Sequence, residues 1–308
     1  MELNERAELD TSQANDLGRG SGSGGGLGGI PLPGGGGRGG IIGIVVAVLV
    51  ALLGGGFGLN AMTNGDEGGG QSSGTNLEQL CDESNAQRFD DARCRNLLYV
   101  NSIQGYWQQE YPELGKGKYE PTTTNYFQAA VNTGCGQADS GVGPFYCPAD
   151  RKVYIDLSFY DELASRFGAK GEFAAPYVLA HEYGHHIQNL LGTNERAGQG
   201  EQSGPDSASV RLELQADCYA GAWAKHATET KDKTGQAPLF TSITASDISE
   251  AVDTAEAIGD DTIQKRSGGQ VNPDQFTHGT SEQRQRWFKQ GYDRGDPKTC
   301  DTFGTNQL

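Results

Sequence analysis

This sequence of 308 residues has few basic residues and no cysteine pair of the kind that binds metal. Lys and Arg number 24 against 40 Asp and Glu, which gives a formal net charge of −16. This balance argues against nucleic acid as a partner. None of the six cysteines belongs to a C-x-x-C pair. That absence argues against a zinc site made of cysteines and favours disulfides.

Charged residues are absent from residues 41–62, and residues 41–53 are almost wholly aliphatic. A stretch of this length is about enough for one membrane crossing, so we predict a retained transmembrane anchor. A cleaved signal peptide is the main competing interpretation, but residues 1–40 are much longer than the n-region of a signal peptide. A buried core helix is a third interpretation. Residues 18–40 contain 14 glycines, and a disordered tail is predicted over residues 1–40 because so little of it can be buried.

The few charges beside the apolar stretch predict its orientation. Arg38 precedes it, whereas Asp66 and Glu67 follow it and no basic residue comes before Arg88. By the positive-inside tendency, the N-terminal tail is expected in the cytoplasm and the C-terminal part outside. All six cysteines lie on that outer side, where an even set is typical of disulfides. Many pairings are open; short spacing favours Cys81 with Cys94 and Cys135 with Cys147, which leaves Cys218 with Cys300.

The C-terminal part is predicted to be a single domain. Residues 63–75 are rich in Gly, Ser and Asn and are predicted to be a flexible linker, so that the domain occupies residues 76–308. Two β-prone runs between residues 143 and 157 predict a hairpin. Apolar residues at helical spacing predict helices over residues 90–110, 176–192, 207–227 and 248–258. A last helix is predicted from Thr280, which forms a capping box with Gln283.

The segment His181-Glu182-Tyr183-Gly184-His185 carries the strongest chemical signal. Two histidines four apart on a helix project from the same face, where they can share one metal ion. In the H-E-x-x-H pattern the glutamate reaches a water on the metal and serves as general base. The sequence therefore predicts a zinc site on His181 and His185, with Glu182 catalytic.

A third zinc ligand has to come from elsewhere in the chain. Gln188 and Leu191 stand where the metzincin extension requires glycine and histidine. On the helix over residues 207–227, Glu213 and Asp217 are one turn apart. We predict that Glu213 binds zinc and that Asp217 accepts the free N–H of a liganding imidazole, although a solvated acidic face is the alternative.

His278 is the best candidate for stabilising the oxyanion that forms during peptide hydrolysis. It lies just before the helix that begins at Thr280, and Arg284 follows six residues later. A structural role for this histidine is the alternative. His186 and His226 are predicted to be packing or surface residues.

These motifs resemble the neutral zinc metallopeptidase family, a YpfJ-like group of bacterial membrane-anchored proteins. The similarity covers about residues 77–300. Its blocks are residues 145–147, 154–156, 181–188, 212–221 and 276–284. The resemblance implies zinc on His181 and His185, catalysis by Glu182, and Glu213 as the third ligand, as in gluzincins. More loosely, the last block is similar to an H-P-x-x-x-x-R element of other zinc peptidases, with Gly279 in place of proline.

We therefore expect an α+β, zincin-like, mainly helical domain with a small β-sheet, preceded by a single transmembrane helix. The expected activity is hydrolysis of peptide bonds in peptide or protein substrates, with Zn2+ as the cofactor. The hairpin is expected beside the cleft, where an edge strand can bind a substrate backbone by strand addition. Two alternatives stay open: a non-catalytic zinc-bound scaffold in the envelope, and a zinc amidase that acts on cell-wall peptides.

Overall fold

The computed structural model describes residues 1–20, 74–115, 117–166, 168–169 and 171–308. The apolar stretch of residues 41–62 and most of the predicted linker lie outside the described residues. Among the residues that are described, no helix is both long and apolar enough to cross a membrane.

About half of the described residues are helical and the strands form small sheets, which confirms the α+β prediction. The α-helices are α1 (Leu77–Leu80), α2 (Ala92–Glu110), α3 (Phe159–Arg166), α4 (Ala174–Leu191), α5 (Thr193–Ala197), α6 (Ala208–His226), α7 (Ala245–Ala257), α8 (Asp260–Arg266) and α9 (Ser281–Arg294). The strands are β1 (Glu2–Leu3), β2 (Ala14–Arg19), β3 (Thr124–Gln128), β4 (Ala130–Thr133), β5 (Gly136–Asp139), β6 (Phe145–Cys147), β7 (Lys152–Ile155) and β8 (Phe240–Ser242). Each helix predicted from the sequence is present within a few residues of its predicted bounds.

Helices α4, α6 and α9 pack against one another in the core of the domain. Their close approach depends on glycine. A Cβ atom at Gly184 of α4 would be 2.9 Å from the Cα of Ala216 on α6, and one at Gly291 of α9 would be 1.9 Å from the carbonyl oxygen of Cys218. Any larger residue would push these helices apart. The contact at Gly184 therefore places the helix with the H-E-x-x-H motif directly beside α6.

The largest sheet among the described strands has the order β2-β3-β7-β6. β3 lies parallel to both β2 and β7, whereas β6 and β7 form the predicted antiparallel hairpin. Phe145 lies opposite Tyr154, and Tyr146 lies opposite Val153. β6 is therefore an edge strand of the described sheet, and it lies next to α4.

The disordered tail predicted over residues 1–40 is wrong for residues 1–20. β1 pairs antiparallel with β8, and β2 pairs parallel with β3. The buried guanidinium of Arg88 donates hydrogen bonds to the backbone carbonyls of Glu5 and Ala7, at 2.9 and 2.7 Å. The glycine-rich composition that suggested disorder begins only at the end of this segment. The earlier residues are ordered by partners far along the chain, which composition does not reveal.

The two ends of the stretch between residues 20 and 74 lie side by side. Asp16 accepts hydrogen bonds from the backbone N–H of Thr75 at 3.1 Å and from the guanidinium of Arg93 at 3.0 Å. Arg93 also donates to the hydroxyl of Thr75. Arg93 therefore joins Asp16, near the end of the first described segment, to Thr75, near the start of the next.

The cysteine pairing favoured by sequence spacing is confirmed. Three disulfides join Cys81 to Cys94, Cys135 to Cys147 and Cys218 to Cys300. The last of these fastens the C-terminal segment to α6, and it closes a loop far longer than the other two. In the chain-entropy account, a long loop gives the larger stabilisation.

Candidate metal centre

Helix α4 presents His181 and His185 on one buried face. Pro176 lies near its first turn, and Gly192 ends it with a left-handed backbone, φ 72°. The two imidazole rings are one helical turn apart, with 4.8 Å between their centroids, and each residue is only 6% exposed. The spacing of the two histidines on α4 therefore directs two nitrogen donors toward the same point.

Glu213 reaches that point from α6, as the sequence predicted. Its carboxylate oxygens lie 3.0 Å from Nε2 of His181 and 3.4 Å from Nε2 of His185. Zinc ligands about 2.0–2.2 Å from a tetrahedral ion are about 3.3 Å from one another, so these separations fit a shared zinc ion. One donor atom from each of the three residues lies within 4.8 Å of the others. The set of two imidazoles and one carboxylate fits a catalytic zinc site.

The ionisable groups of this cluster shift one another's pKa values. Burial alone would raise the pKa of Glu213, but His185 and His181 hold it well below its usual range. Burial disfavours the charged form of His181, but Asp217 and Glu213 outweigh burial and raise its pKa to about 10. The cluster therefore has a strong affinity for positive charge, which a proton or a metal cation can supply.

Asp217 lies behind His181, one turn along α6 from Glu213. Its Oδ1 accepts a hydrogen bond from His181 Nδ1 at 2.8 Å and from the Tyr177 hydroxyl at 2.7 Å. In the metal-free cluster Nε2 donates to Glu213, and loss of that proton would leave its lone pair for a metal ion. Arg284 donates to both oxygens of Asp217, at 2.8 and 3.0 Å. Burial raises the pKa of Asp217, but Arg284 and His181 together bring it below its ordinary value.

Gln188 holds the second imidazole in a similar way, and sequence analysis missed this role. Its Oε1 lies 2.9 Å from His185 Nδ1, while its amide donates to the Leu212 carbonyl on α6 at 2.6 Å. Gln188 follows His185 by three residues, so both lie on one face of α4. That spacing is the signal that could have identified it.

Glu182 is buried beside the two histidines, and its Oε2 has no hydrogen-bond partner among the described residues. A buried carboxylate oxygen without a partner is costly, so its position suits a ligand in the cleft. Burial raises the pKa of Glu182; the charges of His185 and His181 and the backbone N–H of Tyr146 act in the opposite direction. This places a carboxylate with a raised pKa next to the three donor atoms.

His278 lines the same pocket as the three donors and Glu182. Asp260, which sequence analysis missed, fixes its position. Oδ1 of Asp260 lies 3.1 Å from His278 Nδ1, and Oδ2 accepts the backbone N–H groups of Thr277, His278 and Gly279 at 2.7, 2.7 and 3.0 Å. Gly279 has φ 91°, a backbone conformation that favours glycine over the proline of the similar element. Arg284 lies in the same pocket but binds Asp217.

The two remaining histidines lie outside the donor cluster, as predicted. His186 is buried between Tyr146 and the backbone of Glu120. His226 lies at the end of α6, where it contacts Glu229 at 3.1 Å.

Apolar side chains form the wall of the pocket opposite the donors. The pocket has a volume of about 40 Å3, room for only a few water-sized groups. Its apolar lining consists of Pro144, Phe159, Val178 and Ile258. Water is therefore largely excluded around the donor cluster, which strengthens the electrostatic interactions there.

Comparison with known proteins agrees with this arrangement. An uncharacterized protein of Mycobacterium tuberculosis, Rv2575, is 44% identical over 236 residues, which is 76% of this chain and 78% of the relative. The uncharacterized protein YpfJ of Escherichia coli is 44% identical over 231 residues, 74% of this chain and 77% of the relative. No solved structure is significantly similar to the chain. The family model described as "Putative neutral zinc metallopeptidase" matches residues 4–303, and the chain belongs to this family.

Proposed function

We propose that the protein is a zinc-dependent metallopeptidase with a zincin-like domain, which hydrolyses peptide bonds in peptide or protein substrates. The observation that carries this proposal is the convergence of His181, His185 and Glu213 beside the unpartnered oxygen of Glu182. Three protein ligands with one position left for water or substrate are typical of catalytic zinc. A structural site would instead close all four positions with protein ligands.

The chemistry divides between the ion and the protein. Bound zinc would supply an acidified water and a Lewis acid for the substrate carbonyl. Glu182 would accept the proton of that water on its free Oε2 and deliver it to the leaving amine. Burial raises the pKa of Glu182, which favours a group that has to hold and release a proton in the same cycle. Asp217 would keep His181 in the tautomer whose Nε2 is free to bind metal.

His278 is the proposed donor to the oxyanion. Asp260 accepts the Nδ1–H of its ring, so donation from Nε2 requires the protonated imidazolium. The three backbone N–H groups bound to the same carboxylate hold the loop in place, so the donor would need no rearrangement during the reaction.

The proposed setting is outside the cytoplasm. Three disulfides are typical of an exported domain. The sequence predicts a single-pass membrane anchor at residues 41–62, and our proposal does not retain that single crossing. A single crossing there would place residues 1–20 on the opposite side from residues 74–308, yet β2 and β3 belong to one sheet. We therefore propose that residues 1–20 accompany the domain, in place of the cytoplasmic tail predicted from the sequence.

The substitution Glu182→Gln tests the catalytic proposal. It keeps the shape of the side chain but removes the base, so the purified protein should retain zinc and lose at least about 100-fold in kcat. Metal analysis and cleavage profiling on a mixed peptide library measure the two effects. Wild-type protein that binds zinc and cleaves nothing would favour the scaffold alternative, and cleavage confined to cell-wall peptides would favour the amidase. Unchanged cleavage by the variant contradicts the role of Glu182.

A further inference from the structure

His186 is a buried histidine that the proposed chemistry does not use. Its Nε2 lies 2.7 Å from the carbonyl oxygen of Glu120, and its Nδ1 lies 3.1 Å from the hydroxyl of Tyr146. A carbonyl only accepts, so Nε2 carries the proton and Nδ1 accepts the hydroxyl of Tyr146. The two hydrogen bonds therefore fix the orientation of the His186 ring.

Asn189 completes the contact between α4 and Tyr146. Its side-chain amide donates to the Tyr146 hydroxyl at 2.9 Å, so the phenol donates to one residue of α4 and accepts from another. Glu182, His186 and Asn189 follow one another at spacings of four and three, which places them on one face of the helix. The phenol of Tyr146 is therefore attached to α4 by two hydrogen bonds.

Tyr146 is also the middle residue of the edge strand β6. Phe145 and Cys147 point to the other face of the sheet, where they pack with Phe127 and Tyr154. Its partner on β7 is Val153, whose N–H donates to the Thr123 carbonyl on the side of β3, so Tyr146 and Val153 form a pair without hydrogen bonds between them. In an antiparallel pair the N–H and C=O of one residue face the same side. The carbonyl of Tyr146 therefore faces the open edge beside the catalytic glutamate.

We propose that Tyr146 is a positioning residue anchored by His186 and Asn189. It holds β6 in the position in which an extended peptide, added to this edge, presents its backbone to Glu182. This inference rests on the proposed peptidase function and on the strand addition expected at this edge; what it adds is the role of the Tyr146 anchor. The phenol acts through the strand and does not touch the reacting atoms.

Tyr146→Phe tests the inference, with Tyr154→Phe as the matched control. Each change removes one hydroxyl from a buried tyrosine of the hairpin, but the Tyr154 hydroxyl bonds to Asp150, away from α4. In the full-length protein, Tyr146→Phe should retain zinc and raise KM about fivefold to tenfold for peptides that span the strand. Its kcat should stay within about twofold, and short peptides should show little change. Equal KM values for the two variants on long peptides would overturn the inference.

Amide hydrogen exchange supplies a readout that does not depend on turnover. Without the phenol contacts, the β6 amides should exchange about tenfold faster in Tyr146→Phe than in Tyr154→Phe. His186→Phe should have a smaller effect in the same direction, because it leaves the bond from Asn189 to the phenol in place. Adding His186→Phe to Tyr146→Phe should change little, because both remove the bond between His186 and the phenol. Identical exchange in all variants contradicts the anchoring role. A wild-type protein that cleaves no peptide would instead refute the proposed function, whatever the exchange shows.

Discussion

Arg284 and Asp217 form a fully buried ion pair in which Nε and Nη2 of the guanidinium bind both carboxylate oxygens. Asp217 uses one of these oxygens to hold His181 Nδ1 as well. The pair therefore fixes the orientation of an imidazole that faces the candidate zinc position. Removing a partner of this kind typically weakens metal binding.

Asp217→Asn is expected to weaken zinc binding about 10-fold to 100-fold. The variant keeps the shape of the side chain, but it removes the negative charge that orients His181 and leaves Arg284 without its counter-ion. Competition with a chelator of known affinity measures the loss. Asp156→Asn is the control, since Asp156 is also a buried carboxylate but binds Ser140 and Ser158 on the sheet side. Equal zinc affinities for both variants would contradict the assignment of Asp217.

Asp260→Asn is expected to destabilise the zinc-free protein by about 1.5–3 kcal/mol at neutral pH, because Asp260 accepts four hydrogen bonds as a charged group. Burial raises the pKa of Asp260, but the bonds and charge of His278 bring it below the ordinary value of 3.8. The stabilisation is therefore fully present above about pH 4. It is lost as the pH falls through the lower pKa of the folded state.

Denaturant unfolding of wild type and Asp260→Asn between pH 7 and pH 3 measures this dependence. The difference between their free energies of unfolding should shrink toward low pH, because protonation removes the charge of Asp260 in the wild type. A chelator keeps both samples free of metal, so that release of zinc does not contribute. A difference that stays constant over the whole range would refute the proposed source of stability.

Local patterns predicted the helices, the hairpin and the donor cluster. The spacing of His181 and His185 depends only on helix geometry, and Glu213 with Asp217 repeats that spacing on a second helix. Two of the disulfides followed from short separations along the chain, and the third was the pair that remained. Asp260 was not found because its partners, Thr277 to Gly279, become its neighbours only when α8 and the loop before α9 fold together. Tertiary contacts of this kind leave no periodic pattern in the sequence.

The order of the N-terminal strand β2 was also not predictable from local sequence patterns. Asn15 of β2 lies opposite Asn125 of β3, and their side chains bond at 3.2 Å although 110 residues separate them. The neighbouring glycines dominate the local composition and favour disorder. The hydrogen bonds of a parallel strand come from a distant partner, so its order follows from the whole fold.

The position of residues 1–20 relative to a membrane can be measured with introduced cysteines. All six native cysteines form disulfides, so Leu17→Cys and Phe303→Cys each add the only free thiol. Both sites are exposed, at 45% and 39%. In intact cells that produce the full chain, a membrane-impermeant maleimide should label both variants to a similar extent, because β2 lies in the same folded body as the C-terminal segment.

Other labelling patterns would each contradict a specific part of this account. If Phe303→Cys were labelled in intact cells and Leu17→Cys only after lysis, residues 1–20 would lie across the membrane and β2 could not pair with β3 in the same chain. If neither were labelled until lysis, the domain would not be outside the cytoplasm. Asp16→Ala supplies a further comparison, since it removes the acceptor shared by Thr75 and Arg93. In that background the N-terminal strand should loosen, and Leu17→Cys should react faster while Phe303→Cys is unchanged.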